Sequence, residues 1–515
     1  MVYLIPAIVF FIGIANPLHI PPWNSFHSEF VAAISLILAL AIFCRNSIIY
    51  LKKNNLFFFI VLIFFSFFVA KNSNHIELFI YLLFSFLSFI FGGNEKKISS
   101  ESLNVFFLLL GVYVALSLIV QFLSIENHFQ FTPISHSARR AGGSLMQPNH
   151  SAIFVVIGIV GVINSKIHWI IKSILNFVLY AGLGITESRA AILSIIIVLL
   201  IFLFFKKNRK IIALNFLYLV MAFYCPLIFY DFFYMNQSYE SELRSLIKGG
   251  RLTTWPIILN AIFEKPIFGY GFNNVFYALD SQLIKMKVTS TEAFHYSHNI
   301  IMDLCIWFGI PFTAVVSYLF FAKIHKSFGE NDFFLMLPLV VYSLFEYPHA
   351  YIYFVIIFFF LLGRLLKYER GECLVVRRHW GLFFTFIIFI GAILYAKLYL
   401  QSEELIRQLR FSSIGVNENN KFSDKKFILP FFEKDIFYNN LNVNNAHRDE
   451  IFYLEYIATH YPNRSYAYKY IEYLNASEEC EKSKEQLLKL SIYYQELQVG
   501  KIEKDLNPKT ECIIK

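Results

Sequence analysis

Charge is what this sequence has least of. Of 515 residues only 16% are Asp, Glu, Lys or Arg, against 57% apolar residues that include 60 Phe, a balance that excludes a single water-soluble globule. The shortage is uneven. Residues 401–515 hold 16 Lys/Arg and 18 Asp/Glu, which leaves 47 charges for the first 400 residues. Cysteine is also scarce, six in all, and no Cys or His pair has metal-ligand spacing. His295 and His298 stand close together without a thiolate or carboxylate cluster, so no zinc site and no metal is expected. Positive charge is missing before Arg45, and no small-residue cleavage site follows the first apolar run. That run is therefore expected to remain as a membrane span and not to act as a signal peptide.

What is present in its place is a series of apolar runs. About 20 predominantly apolar residues cross a hydrocarbon core as a helix, and thirteen candidates appear: 3–18, 28–45, 55–70, 76–92, 103–124, 149–164, 168–186, 189–205, 211–230, 299–322, 332–346, 349–365 and 381–400. The expected fold is an all-α polytopic membrane protein with about thirteen transmembrane helices, a long extracytoplasmic loop and a small α-helical soluble C-terminal domain. The divisions are N-terminal helices 1–230, a loop 231–297, further helices 298–400 and a tail 401–515.

Cytoplasmic loops retain Lys and Arg, and alternate loops here separate well. One set carries Arg45, Lys52 and Lys53; Lys96 and Lys97; Lys166 and Lys172; Lys206, Lys207, Arg209 and Lys210; Lys323 and Lys326; and Arg364, Lys367, Arg370, Arg377 and Arg378. The opposite short loops hold little beyond Lys71, Arg139, Arg140 and Arg189. This places the N-terminus in the cytoplasm and the tail outside. The pI of 9.0 then reflects topology and not nucleic-acid binding. Cys44 and Cys373 fall near cytoplasmic loops, Cys225 and Cys305 within spans, and Cys480 and Cys512 in the tail, where oxidising conditions permit a disulfide.

Three outer segments exceed what a tight turn needs: 19–27, 125–148 and the loop from Asp231 to Tyr296, and function is expected there. Arg139 and Arg140 break the charge rule just before Pro148 opens an apolar run. Two guanidinium groups beside a helix start suit an anion, because free N–H groups and the helix dipole add to the attraction; lipid phosphates are the alternative ligand. Arg189, in Thr186-Glu187-Ser188-Arg189, is a second exception, and snorkelling to the interface is the simpler account of it. The long loop supplies Gly250-Arg251 with Trp255, then Pro266 with Gly269-Tyr270-Gly271, and ends at His298-Asn299. A histidine at that boundary meets both water and a membrane-held substrate. An imidazole can take up and release a proton, which suits a general base, and Glu346, in the turn Glu346-Tyr347-Pro348-His349, is a carboxylate available to fix its tautomer.

Taken together, Ser188-Arg189, Gly250-Arg251, Trp255, Pro266, Gly269-Tyr270-Gly271, His298-Asn299 and Gly309 resemble the O-antigen ligase and polymerase superfamily over about residues 140–365. The segments Asn16-Pro17-Leu18-His19 through Glu29, Gly143 through Asn149, and Tyr342 through Tyr351 resemble its protein O-oligosaccharyltransferase, or pilin glycosylation ligase, branch. There are departures: Tyr342 stands where relatives often have His, His349 where they have a large apolar residue, and Phe312 where many have a small or hydroxyl residue.

The resemblance implies transfer of a whole oligosaccharide from undecaprenyl pyrophosphate to a hydroxyl acceptor on the outer face, without cofactor, nucleotide sugar or metal. It implies His298 as base, with Arg189 and Arg251, supported by Arg139 or Arg140, binding the diphosphate through planar guanidinium forks. Gln147, Asn149, Asn299 and Glu346 are expected to contact substrate. The acceptor is expected to be a pilin-like protein; transfer to lipid A core sugars and polymerisation of repeat units share the same residues. A lipid-linked sugar transporter would place charge near the bilayer midplane and show repeated halves, whereas charge here gathers on one face. The tail is read as helices near 446–460, 464–475 and 477–498, either recruiting the acceptor or bracing the loop.

Overall fold

A computed structural model describes residues 2–53, 56, 59–61, 75–129, 132–133, 140–205, 209–233, 250–286, 294–366, 373–413, 434, 437–438, 441–461 and 464–493. The chain forms two units, one of residues 1–64, 77–240 and 318–397, the other of residues 65–76, 241–317 and 398–515.

The first unit is a helical bundle: α1 (Leu4–Ile14), α2 (Phe26–Asn46), α3 (His75–Asn94), α4 (Ser100–Phe122), α5 (Pro148–Asn164), α6 (Trp169–Ile185), α7 (Arg189–Phe205) and α8 (Arg209–Phe233). Among the described residues, four helices are long and apolar enough to cross a membrane: Phe26–Asn46, Ile76–Asn94, Ser100–Phe122 and Arg378–Gln408. Shorter apolar helices accompany them, so the chain is a helical membrane protein. The candidate run at 55–70 lies mostly outside the described residues. Local signals set the helix starts. Ser99 caps α4 by accepting from Ser102 N at 3.0 Å, and Pro148 opens α5, where its missing N–H costs nothing.

The core of this bundle is aromatic and aliphatic, with Tyr180, Phe154, Phe202 and Phe334 fully buried and the Phe202 and Phe334 rings stacked at 3.9 Å. Without a strong hydrophobic drive between helices in lipid, close backbone approach at small residues supplies the packing. A Cβ on Gly111 of α4 would lie 2.7 Å from the Cα of Gly158 in α5, and one on Gly161 would lie 2.6 Å from Asn104 O. Gly111→Val is therefore expected to push α4 off α5 and destabilise the bundle by about 1–3 kcal/mol, read as a lower melting temperature of the detergent-solubilised protein; an unchanged melting temperature would reject this packing.

Two features depart from uninterrupted apolar helices. Ile49–Lys52 (β1) and Cys373–Val376 (β2) pair antiparallel, with Ile49 opposite Val376, giving the helical fold one short ribbon of β-branched and aliphatic residues. The run expected as one span at 299–322 is divided at Gly309 into α11 (Ile300–Phe308) and α12 (Ile310–Ile324). Helices α13 (Asn331–Tyr342) and α14 (Ile352–Leu365) follow, and α15 (Arg378–Ser413) is far longer than the run 381–400. Along α15, Trp380, Phe384, Phe386 and Leu394 are all more than half exposed, as suits a lipid-facing helix.

The second unit contains α9 (Gly250–Glu264) and α10 (Val275–Met286) from the long loop, α11, and three tail helices, α16 (Arg448–His460), α17 (Arg464–Ala476) and α18 (Cys480–Tyr493). The tail helices fall close to the sequence reading. His447 and Glu450 form a reciprocal cap on α16, and Leu454, Ile457, Tyr466, Tyr470 and Leu474 make a small core. The tail is fastened to α10. The Tyr277 ring stacks on His460 at 4.2 Å, His460 lies 4.2 Å from the Tyr456 ring, and Lys489 Nζ approaches Asp280 Oδ2 at 3.6 Å with both side chains largely buried. Cys480 is disulfide-bonded; Cys512 lies outside the described residues.

Candidate active site

In the first unit the turn that carries Gly143 through Asn149 is shaped by α4. Gln121 Oε1 accepts from Gly142 N at 3.0 Å and Gly143 N at 2.8 Å, while its Nε2 donates to Pro133 O at 2.7 Å. Ser117 Oγ accepts from Ser144 N at 3.0 Å. Gly143 has φ +61, and a Cβ there would meet Ser117 Oγ at 2.8 Å, so glycine is needed on both counts.

This turn presents a polar chain. Arg140 donates from Nε to Thr186 O at 3.0 Å and from a terminal nitrogen to Asn149 Oδ1 at 3.1 Å. Asn149 Nδ2 in turn donates to Glu346 Oε1 at 2.8 Å. Glu346 is buried, 4% exposed. Three residues chosen from sequence for separate reasons are thus joined, and the Arg140 contact falls on the Thr186–Arg189 segment, the other exception to the charge rule. Arg189 opens α7 and is exposed. Gln147 precedes α5 and is half-buried. Arg139 and the side chain of Arg251 lie outside what is described; Arg251 itself is in the first turn of α9.

Residues 19–29 meet the same region; function is expected in this outer segment from sequence, without any one of its residues being singled out. His19 Nε2 lies 2.7 Å from Ser144 O and Nδ1 lies 3.1 Å from Asn24 O. A neutral imidazole can donate to only one of these carbonyls; burial holds the ring's pKa below the usual histidine value, against the pull of both. Glu29, 3% exposed, accepts from Trp23 Nε1 at 3.0 Å, Ser25 Oγ at 2.6 Å and Ile352 N at 3.0 Å.

In the second unit the His298 turn is held from three sides. Trp255 Nε1 donates to Ser297 O at 2.9 Å, and Asp303 Oδ1 accepts from Ser297 N at 2.7 Å. Asn299 caps α11, its Oδ1 accepting from Ile301 N at 3.0 Å and Met302 N at 3.2 Å. Asn299, expected as a substrate contact, is thus occupied as a helix cap. His298 sits at φ +60, a conformation that costs a non-glycine residue about 1–3 kcal/mol and is kept only when its surroundings over-determine it. The ring is half-buried, its centroid 5.2 Å from that of Phe294 with the two rings nearly perpendicular. Within this unit a carboxylate, Asp303, buried at 0% exposed, organises the turn through Ser297 N.

The glycine signature has a direct geometric cause. Tyr270 N donates to Ile306 O at 2.6 Å and Ile310 N donates to Pro266 O at 2.7 Å, so the Pro266–Tyr270 turn and the α11–α12 break lie backbone against backbone. A Cβ on Gly269 would fall 2.2 Å from Ile306 O, and one on Gly309 would fall 2.0 Å from Ile267 O.

Residues 173–317 match the O-Antigen ligase family, a stretch that includes Arg189, Arg251, the reciprocal glycines and His298. The similarity extends well beyond it. The ComP-specific O-oligosaccharyltransferase of Acinetobacter baylyi is 27% identical over 440 residues, covering 79% of this chain and 78% of the relative. The General O-oligosaccharyltransferase of the same organism is 23% identical over 406 residues, covering 70% and 69%. The resemblance read from the motifs is borne out: residues 173–317 match the O-antigen ligase family, and most of the chain is similar to O-oligosaccharyltransferases.

Proposed function

We propose that the protein transfers an oligosaccharide en bloc from undecaprenyl pyrophosphate to a Ser or Thr hydroxyl of a periplasmic, pilin-like protein. The observation that carries this reading is the His298 turn, a strained histidine over-determined by Trp255, Asp303 and Asn299 within a region similar to O-antigen ligases. In the proposed single displacement, the acceptor oxygen attacks the anomeric carbon as its proton passes to His298. The bond from that carbon to the diphosphate oxygen breaks, and the diphosphate leaves on the polyprenyl carrier. Charge grows on the departing oxygens, where guanidinium groups stabilise it; Arg140, Arg189 and Arg251 are the groups assigned to it, and no metal or cofactor is assigned.

The charge alternation among loops supports thirteen spans in the bacterial inner membrane, with the N-terminus in the cytoplasm and both the loop 231–297 and the tail 401–515 in the periplasm. A polyprenyl tail remains in the bilayer while its sugar emerges at the surface, so a site built where helices meet outer loops suits this donor.

The test is reconstitution in a bacterium that makes a lipid-linked glycan but lacks its own ligase, with a candidate pilin supplied and read by intact mass. A glycan-sized mass gain supports the proposal; sugar on lipid A core with unmodified pilin would replace it with O-antigen ligation. Arg140→Lys gives a second check. A single ammonium cannot serve Thr186 O and Asn149 Oδ1 in the same planar geometry, so transfer is expected to fall about tenfold with charge conserved. Equal activity would remove the fork from the mechanism.

A further inference from the structure

We infer that residues 19–29 are a positioning brace for the donor-binding side of the site, with Glu29 as its key residue; this rests on the transferase reading given above. The segment touches two turns distant from it in sequence. At one end His19 Nε2 reaches Ser144 O at 2.7 Å, in the turn that leads to Asn149. At the other, Glu29 Oε2 accepts from Ile352 N at 3.0 Å, just past the turn that carries Glu346. Those two turns are joined to each other by the Asn149–Glu346 hydrogen bond at 2.8 Å. His19, Ser144, Asn149, Glu346, Ile352 and Glu29 thus close a ring, and Arg140 is hydrogen-bonded to one member of it.

The chemistry at Glu29 explains why a carboxylate is used. All three recorded partners are donors: the Trp23 indole N–H and Ser25 hydroxyl on Oε1, and the Ile352 amide on Oε2. A carboxylate is an acceptor at both oxygens, whereas an amide presents N–H₂ on one side. In Glu29→Gln one of those donors must face another donor, although size and shape are conserved. The buried helix start at Ile352 would lose its acceptor, and the Glu346 turn would no longer be held in register with Asn149. Trp23 and Ser25 serve the same end. Ser25 stands at the N-cap of α2 but makes no side-chain cap bond; its hydroxyl is given to Glu29.

The experiment uses full-length protein in detergent with a lipid-linked oligosaccharide and acceptor, comparing wild type, Glu29→Gln and His19→Ala. Both variants are expected to raise KM for the lipid-linked donor about tenfold or more while KM for the acceptor stays near wild type, with little change in melting temperature for His19→Ala. A structural role alone would lower yield and melting temperature with an unchanged donor KM in the folded fraction, and that result would overturn the inference. If Glu29→Gln does not accumulate, His19→Ala decides by the same KM comparison; failure of both to fold would also overturn it. Absence of transfer by wild type would instead defeat the transferase reading, which keeps the two failures distinct.

Discussion

Replacing His298 by Ala is expected to lower glycan transfer by about 10²- to 10⁴-fold, the usual worth of a positioned general base, in protein that inserts and accumulates normally. The reason lies in how the residue is held. Its backbone is at φ +60, with Ser297 before it tied at both backbone groups, to Trp255 and Asp303, and Asn299 after it fixed as the cap of α11. These backbone and cap contacts do not use the imidazole, so they stay in place when the ring is removed, while its contact with Phe294 is lost. Intact mass of the acceptor after a fixed time measures the loss. Transfer at the wild-type rate would show that the proton goes elsewhere and that the strained turn serves packing only.

Gly309→Ala is expected to be as damaging, through folding. Gly309 has φ +87 and ψ 166, a region open essentially to glycine alone, which costs other residues about 1–3 kcal/mol. The added Cβ would also stand 2.0 Å from Ile267 O, against backbone that is itself fixed by the Ile310 N to Pro266 O bond. The break between α11 and α12 and the Pro266–Tyr270 turn should separate together. Limited proteolysis reports this as new cleavage within 250–286, with loss of transfer; Gly269→Ala should reproduce it from the opposite side. A protease-resistant, active Gly309→Ala protein would contradict the backbone-to-backbone contact.

Much of this arrangement was legible in the sequence because membrane helices announce themselves by composition and Arg140 by sitting against the charge rule. Asn149 came from motif resemblance and Glu346 from its place in an outer turn as well as from that resemblance, whereas their pairing with each other came from neither. Periodicity reports local structure, whereas the Glu29 to Ile352 bond spans 323 positions. The role of Glu29 was hidden for the same reason: one carboxylate near the start of an apolar helix reads as a favourable first-turn charge until its partners are known. Gly309 was recognised as part of a signature, but the apolar residues on both sides of it read as one continuous span. The ribbon of β1 and β2 escaped because four-residue strands carry too little pattern to separate from helix ends.

The fastening of the tail to α10 bears on the order in which the protein is made. Tyr277 and Asp280 belong to the loop, while His460 and Lys489 come from near the end of the chain. Loop residues reach the ribosome exit well before their partners do, and at about 5–20 residues per second the loop must wait through the synthesis of α11 to α15 and most of the tail. A product stalled before the tail therefore carries α10 without its fastening. Docking of the tail helices onto α10, and not synthesis of α10, is the event that completes this unit.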